Sequence, residues 1–401
     1  MSVAERLTDR PRDAARALVL ARDLVPRLAG RAAAHDESGA FPAADFADLR
    51  AAGLLGLMVP TRLGGFGASF ADYAAVAAEL ARGAGATALI FNMHASVTGA
   101  LAHTPDELVR AWGAPESFFA TRDEALSAAA GGALYGVAMS ERGSGSRLSR
   151  TATTYRRSGR GYRISGSKAF VSGAGHVDAY LVTARDPAAT EPRVSYFLVP
   201  AGDGVRVEQT WDSLGMRATG SQDVHFDVEV GPEALLGGME GLTLLLAQVM
   251  PQWLVASYAA VYVGVARAAV DAAADHVRER GLRELPAVRA RLGRADAAVS
   301  AAELVVADAA GRVAEQPGEG DTNRWVWRAK LVAGDTAAEV ASSLLEAAGA
   351  SASRRGHPLE RLYRDARCGA LQPATSDVCA DWLGVAALGG DPDHDTGVAR
   401  W

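Results

Sequence analysis

The feature that most constrains this chain is a change of hydrophobic period, made twice. From about Arg10 to Ala130 apolar residues recur every three to four positions, through Ala15–Leu28, Phe46–Leu55, Tyr73–Leu80 and Ala88–Ala102. That is the spacing of helices with a buried face. From Gly131 to about Val230 the segments RTATTYRR, GYRISGSKAFVSG, DAYLVTARD, VSYFLVP, VRVEQTW and DVHFDVEV alternate, or carry β-branched and aromatic residues, between Gly, Pro, Asp and Ser. Such a series predicts strands of a small antiparallel sheet or barrel. From Gly241 to Leu388 the helical period returns, in Leu242–Arg280, Pro286–Glu315, Asn323–Ala348 and a shorter stretch near Val378–Ala387. The order predicts a mainly α protein with a central β-domain: an N-terminal helical domain over 1–130, a middle β-domain over 131–238 and a C-terminal helical bundle over 239–401.

Length and charge bound the function. A chain of 401 residues is enough for two or three domains with a large core. Its net charge of -6 argues against nucleic acid or an anionic membrane as the main partner. The first twenty residues mix both charge signs with small residues and hold no run long enough for a signal peptide or a membrane helix. Cys368 and Cys379 match no metal or redox spacing, so a reduced, cytoplasmic compartment is expected and no metal site.

Four blocks could carry chemistry. In GVAMSERGSGSRLSR, Gly136 to Arg150, a strand leads into a turn whose Gly143 and Gly145 free the backbone to expose N–H groups, with Ser140, Ser144 and Ser146 as further donors. Clustered donors of this kind suit the oxygens of a flavin ring or a phosphate. A second block, GYRISGSKAFVSGAG, carries an aromatic at Phe170 and a hydroxyl at Ser172. A third is WDSLGMRATGSQDVHFDVEV, Trp211 to Val230. The fourth, PLERLYRDARCGALQPAT from Pro358 to Thr375, is rich in arginine.

In this order, and together with FPAADFADLRAAGLLGLMVPTRLGGFG at Phe41–Gly67, the blocks resemble the acyl-CoA dehydrogenase family over most of the chain. The resemblance implies an α-helical domain, an antiparallel β-barrel domain and a C-terminal four-helix bundle, assembled as a homotetramer. It implies that Met139 and Ser140 contact a flavin ring, and that Gly145 and Ser146 lie between flavin and substrate. Phe170 and Ser172 would line the two edges of the ring. Arg280 would reach the flavin pyrophosphate of a neighbouring subunit, and Thr375 would stand near the cofactor. Phe91, Met250, Trp253 and Leu254 would shape the acyl pocket. FAD is the implied cofactor.

The departures from the family pattern matter as much. Dehydrogenation needs a carboxylate to take a proton from the substrate α-carbon. The two positions at which the family places it correspond to Pro373 and Leu254, neither of them acidic. Asp377, one helical turn past Pro373, and His94, on an apolar helix, are the replacement candidates. Asp377 also reads as part of a helix start, because T-S-D precedes an apolar run. VSGA at Val171–Ala174, and AGASASRRG in place of a glycine cluster, are similar to the flavin monooxygenase branch related to dibenzothiophene monooxygenase. The leading expectation is Cα–Cβ oxidation of an acyl thioester carried on CoA or a carrier protein, with an electron-acceptor flavoprotein as partner. The first alternative is a two-component monooxygenase that takes reduced flavin, FMN included, from a flavin reductase and oxygenates an aromatic or heterocyclic substrate, with His94 as its proton donor. The second is a catalytically silent structural paralogue.

Overall fold

The structure, a computed structural model, describes residues 12–243, 252–392 and 395. Among the described residues, six helices form the N-terminal part: α1 (Arg12–Ser38), α2 (Ala43–Ala51), α3 (Phe70–Gly83), α4 (Gly85–His103), α5 (Asp106–Ala111) and α6 (Glu116–Ala130). Helix α1 outruns the expected Ala15–Leu28 and passes through Pro26. Buried Leu24, Leu28 and Ala32 on either side of the proline hold it in place, so packing overrides the helix-breaking residue. A capping box starts α3: the Asp72 N–H donates to Ser69 Oγ at 3.2 Å and the Ser69 N–H to Asp72 Oδ2 at 3.1 Å. Helix α4 is buried almost all round, its polar Asn92, His94, Ser96 and Thr98 included, which explains why its apolar residues follow no single stripe.

Seven strands follow: β1 (Tyr135–Ala138), β2 (Thr154–Ser158), β3 (Gly161–Val171), β4 (Ala179–Arg185), β5 (Val194–Pro200), β6 (Val205–Glu208) and β7 (Gln222–Val230). They form one sheet in the order β1-β4-β2-β3-β7-β6, with β5 beside β4. Most pairings are antiparallel, as the short turns require. The exceptions lie on β4, which β1 meets in parallel over four residue pairs and β2 at the single pair Thr154–Arg185. Because the β1–β4 connection contains the β2–β3 hairpin, a parallel return is sterically possible there.

The bundle comprises α7 (Gln252–Glu279), α8 (Pro286–Glu315), α9 (Gly320–Ala348), α10 (Pro358–Arg367) and α11 (Ser376–Ala387). Helix α7 crosses α3 closely at Gly264, where an added Cβ would sit 2.2 Å from the Ala78 carbonyl oxygen; only glycine permits that approach. Two arginines of the run on α10, Arg361 and Arg364, pair within the chain. Buried Arg364 donates to Asp36 on α1 at 2.9 Å, to Glu360 at 2.6 Å and to the Leu214 carbonyl at 3.0 Å. The neighbouring Asp365 accepts the Met216 N–H at 2.6 Å. One turn of α10 thus ties the bundle to the other two parts.

Candidate flavin site

The Glu141–Gly145 turn is built from both faces. Above, reciprocal backbone hydrogen bonds of 2.9 Å close it between Glu141 and Gly145. Gly143 (φ 95°) and Gly145 (φ 62°) take conformations that favour glycine, and an added Cβ at either would meet nothing within 4 Å. That face of the turn is open. Below, the buried Glu141 carboxylate accepts the Ala152 and Thr153 N–H groups at 2.6 and 3.0 Å and the Lys168 ammonium at 2.7 Å. Lys168 also donates to Thr183 Oγ1 at 2.8 Å and to the Met139 carbonyl at 3.3 Å. Burial opposes the charge on Glu141, but Lys168 and the two N–H donors outweigh it and hold the carboxyl below its usual range. Burial brings Lys168 down to about 8 against the pull of Glu141. Held by these four hydrogen bonds, the pair pins the turn.

The turn is stitched to the next block. The Ala169 N–H donates to the Ser140 carbonyl at 2.8 Å, and the β3–β7 register shifts between Lys168 and Val171. At this bulge Phe170 adopts φ 59°, a strained position for an aromatic residue. It also stands 62% exposed. Trp211 meets it edge-on, with ring centroids 6.2 Å apart. Trp211 is fixed in turn, its backbone N–H donating to Gln222 Oε1 at 2.8 Å and its indole N–H to the Arg217 carbonyl at 3.1 Å. Two residues on, Ser172 turns inward, its Oγ 2.9 Å from Ser221 Oγ. An exposed aromatic face beside an open turn rich in N–H and hydroxyl groups fits a planar heterocycle with one apolar end and one polar edge. Flavin is such a group, so these residues fit it: Phe170 and Trp211 would pack on the ring, and Met139, Ser140, Gly145, Ser146 and Ser172 would meet its edges.

The other residues expected at the site lie as follows. His94 is 1% exposed on α4. Its Nδ1 accepts the Tyr135 N–H at 3.0 Å and its Nε2 faces the Leu55 carbonyl at 2.7 Å. Nε2 therefore carries the hydrogen, and burial pushes the ring down to about 4. Both nitrogens are committed to backbone, the arrangement of a core histidine and not of a proton shuttle. Phe91 has no exposed surface and packs beside Tyr73, its ring centroid 6.5 Å away. Thr375 caps α11, accepting the Val378 N–H at 3.4 Å, and Asp377 is exposed in that helix's first turn. The reading of T-S-D as a helix start thus describes what Asp377 does here. Arg280 is exposed just past the end of α7. Met250 and the side chains of Trp253 and Leu254 lie outside the described residues.

Sequence reasoning missed the Glu141–Lys168 pair and Trp211. A signal for Lys168 was present. Tyr162, Ile164 and Lys168 share the inward face of β3, and a lysine at an inward position needs a buried carboxylate.

Comparison with known proteins bears on the family and the fold. Family models of the acyl-CoA dehydrogenase N-terminal, middle and C-terminal domains match residues 12–115, 136–228 and 256–376. An amino sugar nitrososynthase of Streptomyces rubradiris, RubN8, is 31% identical over 390 residues, covering 92% of this chain and 89% of its own. The mitochondrial short-chain specific acyl-CoA dehydrogenase of Bos taurus is 28% identical, covering 86% and 83%. The FMN-bound structure of TdsC from Paenibacillus sp. A11-2, a dibenzothiophene monooxygenase, superimposes with a TM-score of 0.81 at 29% identity, covering 93% of this chain and 97% of that one. Three consecutive domain matches in the family's own order place this chain in the acyl-CoA dehydrogenase family.

Proposed function

We propose that this flavoprotein is a two-component monooxygenase: it binds reduced flavin supplied by a reductase, and uses O2 to oxygenate a substrate with an electron-rich ring, sulfur or nitrogen. The acyl-thioester dehydrogenation that leads on sequence alone takes second place. The observation that carries this reading is the state of the expected bases. Pro373 cannot accept a proton and Asp377 is exposed at a helix start, while His94, with both nitrogens bound to backbone, is set aside as a proton carrier for either reaction. Without a positioned base, removal of an α-proton loses a factor of about 100 to 10,000 in rate. Oxygen transfer does not require that proton to leave. Reduced flavin, when bound, supplies two electrons to O2, one oxygen atom entering the substrate and the other leaving as water. The chain's own residues orient the ring through Phe170, Trp211 and the Ser140–Ser146 turn. Two relatives support the choice by what they do, TdsC as a dibenzothiophene monooxygenase and RubN8 as an amino sugar nitrososynthase. FMN is favoured as the flavin, by likeness to FMN-bound TdsC. A homotetramer is the assembly the family implies, with Arg280 as the residue to examine for cofactor phosphate contact.

The test supplies the protein with FMN, a flavin reductase and NADH, and follows label from 18O2 into sulfur heterocycles, indoles and amino sugars. One labelled oxygen per product supports the reading. A lack of labelled product, together with anaerobic flavin reduction by an acyl thioester, rejects it.

A further inference from the structure

The outer face of strands β3, β7 and β6 carries a row of polar side chains that the flavin wall does not use. The alternation of β7 turns Val224 and Phe226 into the core and sends Asp223, His225, Asp227 and Glu229 to the other face. Ser167 of β3 stands directly opposite His225 in the ladder, and Glu208 lies on β6, the next strand. Elsewhere on this face the pairs are ionic: Arg163 meets Asp227 at 2.7 Å and Arg142 meets Asp223 at 2.5 Å. The row at His225 differs. Ser167 Oγ lies 2.7 Å from His225 Nδ1, and His225 Nε2 lies 2.7 Å from Glu208 Oε2.

The tautomer of the neutral ring follows from these partners. A carboxylate only accepts, so Nε2 carries the hydrogen and donates it to Glu208. Nδ1 keeps its lone pair, and the Ser167 hydroxyl donates to it. A hydroxyl is thus bound to an imidazole base, and the base is oriented by a carboxylate. That arrangement activates a serine as a nucleophile, and it is recognised by geometry and not by fold. All three groups reach solvent: Ser167 is exposed, and the His225 and Glu208 side chains are 29% and 50% exposed. A reactant can therefore approach the hydroxyl.

We propose that Ser167, His225 and Glu208 form an acyl-transfer site on the outer face of the β-domain. Its substrate is a small, activated acyl ester or thioester. Ser167 Oγ bonds to the carbonyl carbon as its proton passes to His225 Nδ1. The bond from that carbon to the leaving oxygen or sulfur breaks, and the imidazolium returns the proton to the leaving group. Water, using the same base, then releases the carboxylic acid from the serine. Glu208 is a positioning residue that fixes the ring and its tautomer. An open sheet face gives the developing oxyanion little help, so the leaving group must supply the activation. The site is independent of the flavin reading.

The test treats the full chain, with and without FMN, with p-nitrophenyl acetate at neutral pH. Nitrophenol release is followed, and the acid-quenched protein is digested with trypsin and mapped by mass spectrometry. One acetyl group is expected on Ser167, in the Ile164–Lys168 peptide. A positioned base contributes a factor of about 100 to 10,000 in rate, so His225→Gln should slow Ser167 acetylation at least about a hundredfold. Ser167→Ala should lose the enzyme-dependent nitrophenol release. Glu208→Ala should cost about tenfold, the worth of one hydrogen bond, and Glu208→Asp should recover part of that loss. Circular dichroism checks the fold of each variant; should one fail to fold, the acetylation map of the wild type decides. Nitrophenol release unchanged in Ser167→Ala overturns the proposal. So does a wild-type map with acetyl groups on lysines and none on Ser167, or Ser167 acetylation unchanged in His225→Gln.

Discussion

The β-domain wall and the α10–α11 edge of the bundle are built on opposite principles. The wall presents a strained, exposed aromatic at Phe170 and an open turn at Gly143 and Gly145, held from behind by the buried Glu141–Lys168 pair. Strain kept in an exposed apolar side chain has no stabilising return in the folded chain alone, which marks a surface for a ligand. At the α10–α11 edge, Arg361 and Arg364 are paired within the chain, Thr375 caps a helix, and Asp377 is exposed. The comparison teaches that the two halves of a family site can separate. On the proposed reading the wall that would orient a flavin is retained, while the α10–α11 edge serves as a structural joint.

The largest expected effect breaks the wall from behind. Lys168→Met leaves Glu141 buried without its cation, which costs about 3 to 5 kcal/mol. Urea denaturation should show that loss together with loss of flavin binding; a change below about 1 kcal/mol would mean that the pair does not hold the turn. Next comes His94. Burial keeps the folded ring neutral down to about 4, against an ordinary value of 6.5. As pH falls below about 6.5 the unfolded chain takes up the proton first, so the contribution of this group is complete above that value and is lost down to about 4, some 3 kcal/mol in all. Unfolding free energies measured between pH 7 and 4 should fall more steeply for the wild type than for His94→Gln. Equal slopes would contradict the buried neutral ring.

A smaller effect separates strain from function. Phe170→Gly removes an aromatic from a left-handed position and should stabilise the apoprotein by about 1 kcal/mol, while weakening FMN binding severalfold. Thermal denaturation and fluorescence titration should therefore move in opposite directions. A loss of both would make Phe170 a packing residue. The smallest effect belongs to the other region: Asp377→Asn should leave turnover within about twofold, because an exposed helix-start carboxylate is not a general base. A hundredfold loss would restore it as one.

The fold was largely legible because the hydrophobic period changes at the domain limits. The expected Pro286–Glu315 helix matches α8, and VSYFLVP matches β5. The parallel return of β1 onto β4 was not legible, since strand partners depend on contacts distant in sequence. The turn residues Gly143 and Gly145 could be read because their backbone demands are local. His94 could not, because its role is decided by Leu55 and Tyr135, which no local pattern ties to it. Likewise the use of Arg364 within the chain depends on Asp36, more than three hundred residues away.

The most direct test of the separation between wall and edge is anaerobic. The FMN-loaded protein is mixed with acyl-CoA thioesters of short, medium and branched chain, and the flavin absorbance near 450 nm is followed. A wall without a base predicts unchanged absorbance over many minutes with every thioester, whereas rapid bleaching by any of them would show that the edge still supplies a base.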